Sequence, residues 1–408
     1  MSSMRRLSLA LGLFSMLAAA ACHEPAPGEP PQSDTPAAVT WYRDVLPVTQ
    51  AHCNGCHTAG GIATQPLDSY EEAKGAARLM AAAVASRRMP PWPASPTCGG
   101  PFVGDRSLTD AQIRTLVDWA DAGAPEGDPA DAPALPPPPQ GLERVDFSGT
   151  MATPYIATME DEYRCFVVDP ALGQARNVVG YDIAPGDQRV VHHVVLYLAS
   201  RTTALAKDAE DAAPGWSCFG GANLQTTGVL GAWAPGGEAV RFPETTGIRV
   251  GADTVIAMQV HYNTRNGFLP DRTGVRLMYG RGTELPATLV PLTAAGFRIP
   301  AGATDYAWDK SFPNFAGRPV RLWGSMPHMH THGRRIRLSV EPDDTCVVDV
   351  PQWNFHWQLQ YFRPSPLILG ANDALKLSCE WDNPTDKALT WGEGTADEMC
   401  FAFVYVSP

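Results

Sequence analysis

Apolar residues recur at helical spacing in the first third of the chain and in short, turn-bounded runs in the rest. Trp41 to Gln50 carries Val45, Leu46 and Val48 on the way to a cysteine pair. Ser69 with Glu72 forms a capping box, in which serine hydroxyl and glutamate carboxylate satisfy each other's backbone N–H groups, and predicts a helix to about Ser86. The prolines of Arg88-Met89-Pro90-Pro91-Trp92 end it. A second box, Thr109 with Gln112, opens a helix whose Ile113, Leu116, Val117 and Ala120 line one face. Leu108 and Ile113 staple it, and Gly123 and Pro125 stop it. Pro125 to Pro139, ending in four prolines, reads as a stiff spacer. Beyond it the period changes. Tyr163 to Val168, Arg176 to Ile183, Arg189 to Leu198, Thr254 to Tyr262 and Gly274 to Tyr279 are short β-rich runs. Arg334 to Val340, Cys346 to Val350, Trp357 to Phe362, Ala374 to Trp381 and Cys400 to Val406 follow. Such runs without helices between them predict two antiparallel β-sandwiches, divided near Pro286.

Composition narrows the setting. At 408 residues and 44% hydrophobic, the chain can fill ordinary cores, which excludes a disordered or fibrous protein. Its net charge of -12 comes without a basic block, so nucleic acid is excluded as a partner. The start reads as an export signal. Met4-Arg5-Arg6 is the positive region, Leu7 to Leu17 the apolar one, and Ala18 to Ala21 the small residues before cleavage. It resembles a bacterial lipoprotein signal, which implies lipidation of Cys22, although Ala19 stands where leucine is commoner; the alternative is a plain secretory signal and a secreted chain. Glu24 to Pro36 then reads as a tether. No later run reaches the ~18 apolar residues of a membrane helix, so the expected membrane link is the lipid anchor alone. The expected location is the bacterial cell envelope or periplasm, where disulfides persist.

The helical part holds Cys53-Asn54-Gly55-Cys56-His57. C-x-x-C-H is the attachment signature of c-type haem, in which both thiols bond to vinyl groups and the histidine coordinates iron. A redox dithiol or half a zinc site would use the same cysteines, but the sequence has no second C-x-x-C. Met89, on its proline-stiffened loop, is the expected second axial ligand to the iron of His57, with Met80 and His52 as competitors. The stretch from Trp41 to Pro125 resembles a class I cytochrome c in motif and in the order of its helices and loops.

Of the ten histidines, seven fall in the β region. His328-Met329-His330-Thr331-His332 follows Ser325-Met326-Pro327. Histidines two apart on an extended strand face one side, so His330 and His332 are candidate ligands of one ion, and nearby thioethers favour copper. His192-His193 and His261 lie in separate β-runs. Adjacent strand residues face opposite ways, so His192 and His193 share an ion only if the strand twists or they use different ring nitrogens.

Together these residues resemble the type II copper, ascorbate-dependent monooxygenases. That family has a His-His pair with a distant histidine in a Val-His-Tyr-like strand, then a His-Thr-His, and a methionine in Asp-Glu-Met-Cys. Here they stand in the same order as His192, His193, His261, His330, His332 and Met399. Ala232-Trp233-Ala234-Pro235-Gly236, and Trp357-Gln358 with Tyr361, also look familial. The resemblance runs from about Asp146 to the C-terminus. It implies two copper ions, an electron-storing one on His192, His193 and His261 and an oxygen-activating one on His330, His332 and Met399. It also implies disulfides Cys165 with Cys218 and Cys379 with Cys400, and leaves Cys98 and Cys346 without evident partners. Three departures concern the substrate: Gly333 directly follows the His-Thr-His, His328 replaces a substrate-contacting arginine of the peptide enzyme, and Phe403 replaces a tyrosine.

The whole reading is a small all-α cytochrome c-like domain followed by two all-β antiparallel, jelly-roll-like sandwiches. Its segments are a signal (1–21), a tether (22–38), the haem domain (39–125), a linker (126–142) and two copper sandwiches (143–286 and 287–408). The expected activity is hydroxylation of a C–H bond in a small-molecule or peptide-like organic substrate by O2. Two copper ions and one covalently bound haem c are the expected cofactors. A periplasmic redox protein or an ascorbate-like reductant supplies the electrons. The alternative is a non-catalytic haem and copper electron-transfer or copper-binding lipoprotein.

Overall fold

The computed structural model describes residues 38–59, 63, 65–134, 141–234, 237–243, 245–392, 394 and 396–408. The expected signal, Cys22, nearly all of the tether and the proline run at 135–140 lie outside them. Residues from Val39 to Pro408 form one compact unit.

Three helices build the N-terminal module. A π-helical turn, Trp41–Val45, leads into α1 (Leu46–His52), followed by α2 (Tyr70–Ala85) and α3 (Asp110–Asp121). Both capping boxes form, Ser69 with Glu72 and Thr109 with Gln112. Such N-caps stabilise a helix by about 1 kcal/mol each. Trp41, Val45, Leu116 and Trp119 are fully buried between the helices, with Leu108 and Ile113 packed in the same core.

Two sandwiches follow, and they are not separate bodies. In the first, a five-stranded sheet places Thr254–Asn263 at its centre between Asp161–Val168 and Val191–Ser200. In the second, a four-stranded sheet runs Tyr306–Pro313, Ala374–Trp381, Gly333–Glu341, Thr345–Val350. One nine-stranded sheet backs both of them. Leu285–Thr293 joins its halves, pairing in parallel with Thr246–Val250 of the first half and antiparallel with Phe401–Ser407 of the second. Pro286, where the period suggests a division, lies inside that joining strand and pairs with Gly247. The β architecture is therefore antiparallel apart from this one pairing among the described strands.

Several boundaries differ from those read off the period. Trp357 to Gln360 is not extended, and the strand there is Tyr361–Leu369. Thr226–Trp233, Leu285–Thr293, Tyr306–Pro313 and Val320–His328 are strands that the pattern does not announce. Prolines in the last three and glycines in the first interrupt the alternation, and tertiary pairing overrides that weak local signal.

The helical module is not confined to 39–125 in space either. Between α2 and α3 the chain leaves the helices and lays Trp92, Ala94 and Phe102 into the core of the second sandwich. Trp92 and Phe102 each meet Tyr361, with ring centroids 5.3 and 5.4 Å apart. Ser95 N–H donates to Asp349 O and Val103 N–H to Phe362 O. A disulfide, Cys98–Cys346, crosses 248 residues of sequence at the same place. Cys165–Cys218 and Cys379–Cys400 are bonded within the first and second sandwiches.

Candidate metal centre

His261 sits near the end of the central strand Thr254–Asn263, directly opposite His193 on Val191–Ser200. The next pair is Tyr262 with Val191, so His192 is the extra residue of a β-bulge. That bulge removes the alternation that would send His192 and His193 to opposite faces. Candidate ligand atoms of the three histidines lie within 4.8 Å of one another. Nδ1 of His193 is 3.1 Å from Nδ1 of His261 and 3.4 Å from Nδ1 of His192. Two nitrogens bound to one tetrahedral ion at about 2.0 Å stand about 3.3 Å apart. Two of the three pairs thus already stand at the spacing of ligands on one first-row metal ion.

The surroundings fix the ring of His261. Its Nε2–H donates to the carboxylate of Asp161, which leaves Nδ1 facing the other two histidines, and Tyr163 stacks on its ring at 4.0 Å. A carboxylate on the far nitrogen orients a ligating imidazole and raises its basicity. Burial, with His261 close by, holds His192 down to about 4; burial holds His193 well below the ordinary range. Neutral imidazoles are the form that binds metal.

The second set is built differently. The strand Val320–His328 ends at His328, so His330 and His332 lie in the connection to Gly333–Glu341 rather than on a strand. What organises them is Glu398, a fully buried carboxylate. It accepts the N–H groups of His330 (3.1 Å), His332 (2.7 Å) and Met399 (3.3 Å), and the indole N–H of Trp381 (2.9 Å). Burial pushes Glu398 up to about 7. His330 donates from Nδ1 to Asp397 O at 2.9 Å, leaving Nε2 for an ion. Gly333 follows at once because a Cβ there would meet Trp353 at 2.8 Å and Met329 at 2.9 Å.

His193, His328, His330 and Met399 line one cavity of about 210 Å³. His332 is not among its lining residues; the hydrogen bonds resolved for it are those of its backbone, to Glu398 and from Asp382. His328 donates to Gln358 at 2.6 Å, and its ring stands 5.2 Å from that of His330. The ring of Phe355 lies 4.9 Å from His192 and 6.1 Å from His330, between the two sets. Sequence reading missed Asp161, Phe355 and Glu398. Only Glu398 left a signal, as the neighbour of Met399.

In the helical module, Cys53 and Cys56 are unbonded thiols. His57 donates from Nδ1 to Gln65 O at 2.7 Å, which leaves Nε2 uncommitted. Met89 packs against the same core as Cys53. Of the competitors, Met80 is buried in that core, and both ring nitrogens of His52 are engaged, with Arg106 O and Gln112. Burial, with Cys56 beside it, pushes Cys53 up to about 12, the reverse of what a redox thiolate requires. A cavity of about 430 Å³ separates this loop from the sandwiches, with Gly55 and Arg106 on one side and Trp233 and Gln360 on the other.

Comparison with known proteins bears on these sites. The family model "Copper type II ascorbate-dependent monooxygenase, N-terminal domain" matches residues 147–268, and its C-terminal counterpart matches 299–407. Tyramine beta-hydroxylase of Caenorhabditis briggsae is 24% identical over 341 residues, 75% of this chain and 56% of that protein. DBH-like monooxygenase protein 1 of Homo sapiens is 24% identical with the same coverage of each chain. Dopamine beta-hydroxylase of Rattus norvegicus is 24% identical over 62% of this chain and 44% of that protein. The chain thus spans about half the length of these relatives. Among solved structures, the major capsid protein P2 from bacteriophage PM2 is similar with a TM-score of only 0.26 over 64% of this chain and 97% of that one. With both halves of the family matched over more than half of its residues, the chain belongs to the copper type II ascorbate-dependent monooxygenases.

Proposed function

We propose that this chain hydroxylates a C–H bond of a small organic substrate: R–H, O2, two electrons and two protons give R–OH and water. The observation that carries the reading is the convergence of His193, His330 and Met399 on one cavity. His192, His193 and His261 would hold one copper, and His330, His332 and Met399 the other. Copper held by such ligands cycles between Cu(I) and Cu(II) and supplies dioxygen with electrons one at a time. The protein's part is to present neutral imidazoles, keep the second set in place through Glu398, and seat the substrate among aromatic walls that exclude water. For His332 this requires its ring to turn towards the cavity that His330 and Met399 line.

The helical module is proposed as a cytochrome c-like domain over 39–125. Cys53 and Cys56 would carry the haem, with His57 and Met89 as axial ligands. The haem would supply single electrons, received from a periplasmic redox protein or an ascorbate-type reductant. Ala232, Trp233, Ala234, Gln358, Leu359 and Gln360 line both cavities, and this partition is what electrons would cross. The three disulfides support an oxidising compartment. Export to the bacterial envelope, with Cys22 as lipid anchor, completes the proposal.

The test is a single turnover. The copper-loaded chain is reduced without oxygen, mixed with ¹⁸O2 and either tyramine or its uncharged isostere 4-propylphenol, and the products are weighed. One ¹⁸O atom per hydroxylated product from either compound is expected. A non-catalytic carrier would oxidise and form none.

A further inference from the structure

Resting on the monooxygenase reading above, we infer that the substrate is a small molecule, about one ring with a short chain, that carries no ammonium group and so is not an amine of the tyramine kind. The cavity that His193, His330 and Met399 share has no Asp, Glu, Lys or Arg among its described lining residues. Its walls away from the metal ligands are largely apolar and aromatic, with Tyr197, Trp233, Leu359, Phe401 and Phe403 among them. Phe401 and Phe403 meet edge to face at 4.8 Å.

The carboxylates nearest the metal ligands are already committed. Asp161 holds His261, Glu398 accepts four N–H groups from behind the second ligand set, and Asp397, whose charge acts on His330, accepts from Gly394 N–H at 3.2 Å. The charged side chains close by, Arg106, Glu238 and Arg241, line the neighbouring cavity on the side of the haem-attachment loop. An ammonium entering the smaller cavity would lose water and meet no opposite charge, and an unpaired ion in such surroundings is strongly disfavoured. An ammonium would also face the positive charge of bound copper. Size sets the other limit. A cavity of about 150 Å³ accepts benzene, so about 210 Å³ accepts one ring and a few further atoms. The names of the relatives point to amines such as tyramine; this cavity selects against the ammonium that tyramine carries.

Two isosteres separate the possibilities: 4-propylphenol and tyramine, which share a ring and a chain of the same length and differ in the charge at the chain end. Each is titrated calorimetrically into the reduced, copper-loaded full chain without oxygen. 4-Propylphenol should bind at least tenfold more tightly than tyramine. Phe403→Asp, which puts a carboxylate in the wall, should shift the ratio of tyramine to 4-propylphenol affinity at least tenfold towards tyramine. Tyramine binding as tightly as 4-propylphenol in the unaltered chain overturns the inference, as does failure of both to bind. An unchanged ratio in a folded Phe403→Asp variant overturns the assignment to this cavity. Because binding is read without turnover, these outcomes are distinct from failure of the labelled-oxygen experiment, which alone removes the monooxygenase reading.

Discussion

The two candidate ligand sets solve the same problem with opposite means. His192, His193 and His261 stand on two paired strands, and a single β-bulge brings their nitrogens to metal-binding distance. His330, His332 and Met399 come from two loops, and a buried glutamate holds their backbones together. The first set is a property of a sheet whose centre is buried on both faces, so its geometry persists as long as the sandwich does. The second depends on one carboxylate, and a change confined to Glu398 can dismantle it while the fold remains. A rigid all-nitrogen set suits storage of an electron. A loop-borne set with a thioether suits a centre whose coordination changes as oxygen arrives.

That contrast can be broken at several points. Met399→Ala should reduce oxygenation to background while the first set keeps its copper, read as labelled product against copper content; full activity would remove Met399 from the site. Glu398→Ala leaves four N–H donors without their acceptor. It should weaken copper at the second set about 10–100-fold and lower folding stability by about 3 kcal/mol, with the first set unchanged. Equal losses at both sets would mean that the two are not separately built. Cys98→Ser with Cys346→Ser should lower stability by about 2–4 kcal/mol in urea unfolding. The effect should be felt first in the second sandwich, whose core Trp92 and Phe102 complete.

The smallest expected effect is on acid stability. His192 is held down to about 4 by burial, and burial lowers His193 and His330 as well. In the copper-free protein the unfolded chain therefore takes up protons near pH 6.5 that the folded chain refuses until about pH 4. Stability should fall as pH drops through that window. Glu398, pushed up to about 7, works the other way, since its proton favours the fold below that pH. The histidines outnumber it. Urea midpoints at pH 7, 5.5 and 4.5 should decline, and His193→Ala should flatten the decline more than His330→Ala.

The sequence made the parts visible more readily than their arrangement. Both capping boxes form, because a cap is a contact between residues three apart and needs nothing from the rest of the chain. The β-rich runs around His193 and His261 were legible for a similar reason, as continuous apolar stretches. The bulge at His192 was not, since it arises from the register between two strands whose paired histidines, His193 and His261, are 68 residues apart, rather than from either strand alone. His330 and His332 looked like strand residues two apart. Their backbones are held together because both N–H groups reach the same carboxylate, 68 residues downstream of His330 and 66 downstream of His332. A proline-rich stretch marks where a chain is stiff, not where packing stops. Trp92, Cys98 and Phe102 belong to the second sandwich by burial though they lie between two helices of the first module.

The central claim is that two distinct copper sites face one cavity. Copper bound per chain, measured by titration of the copper-free full-length protein and by integration of the electron paramagnetic resonance signal after oxidation, tests it most directly. The account predicts two coppers in the unaltered chain, one in His193→Ala, one in His330→Ala and none in the double variant. A single copper in the unaltered chain, lost in either variant alone, would contradict it, because the two sets would then be one site.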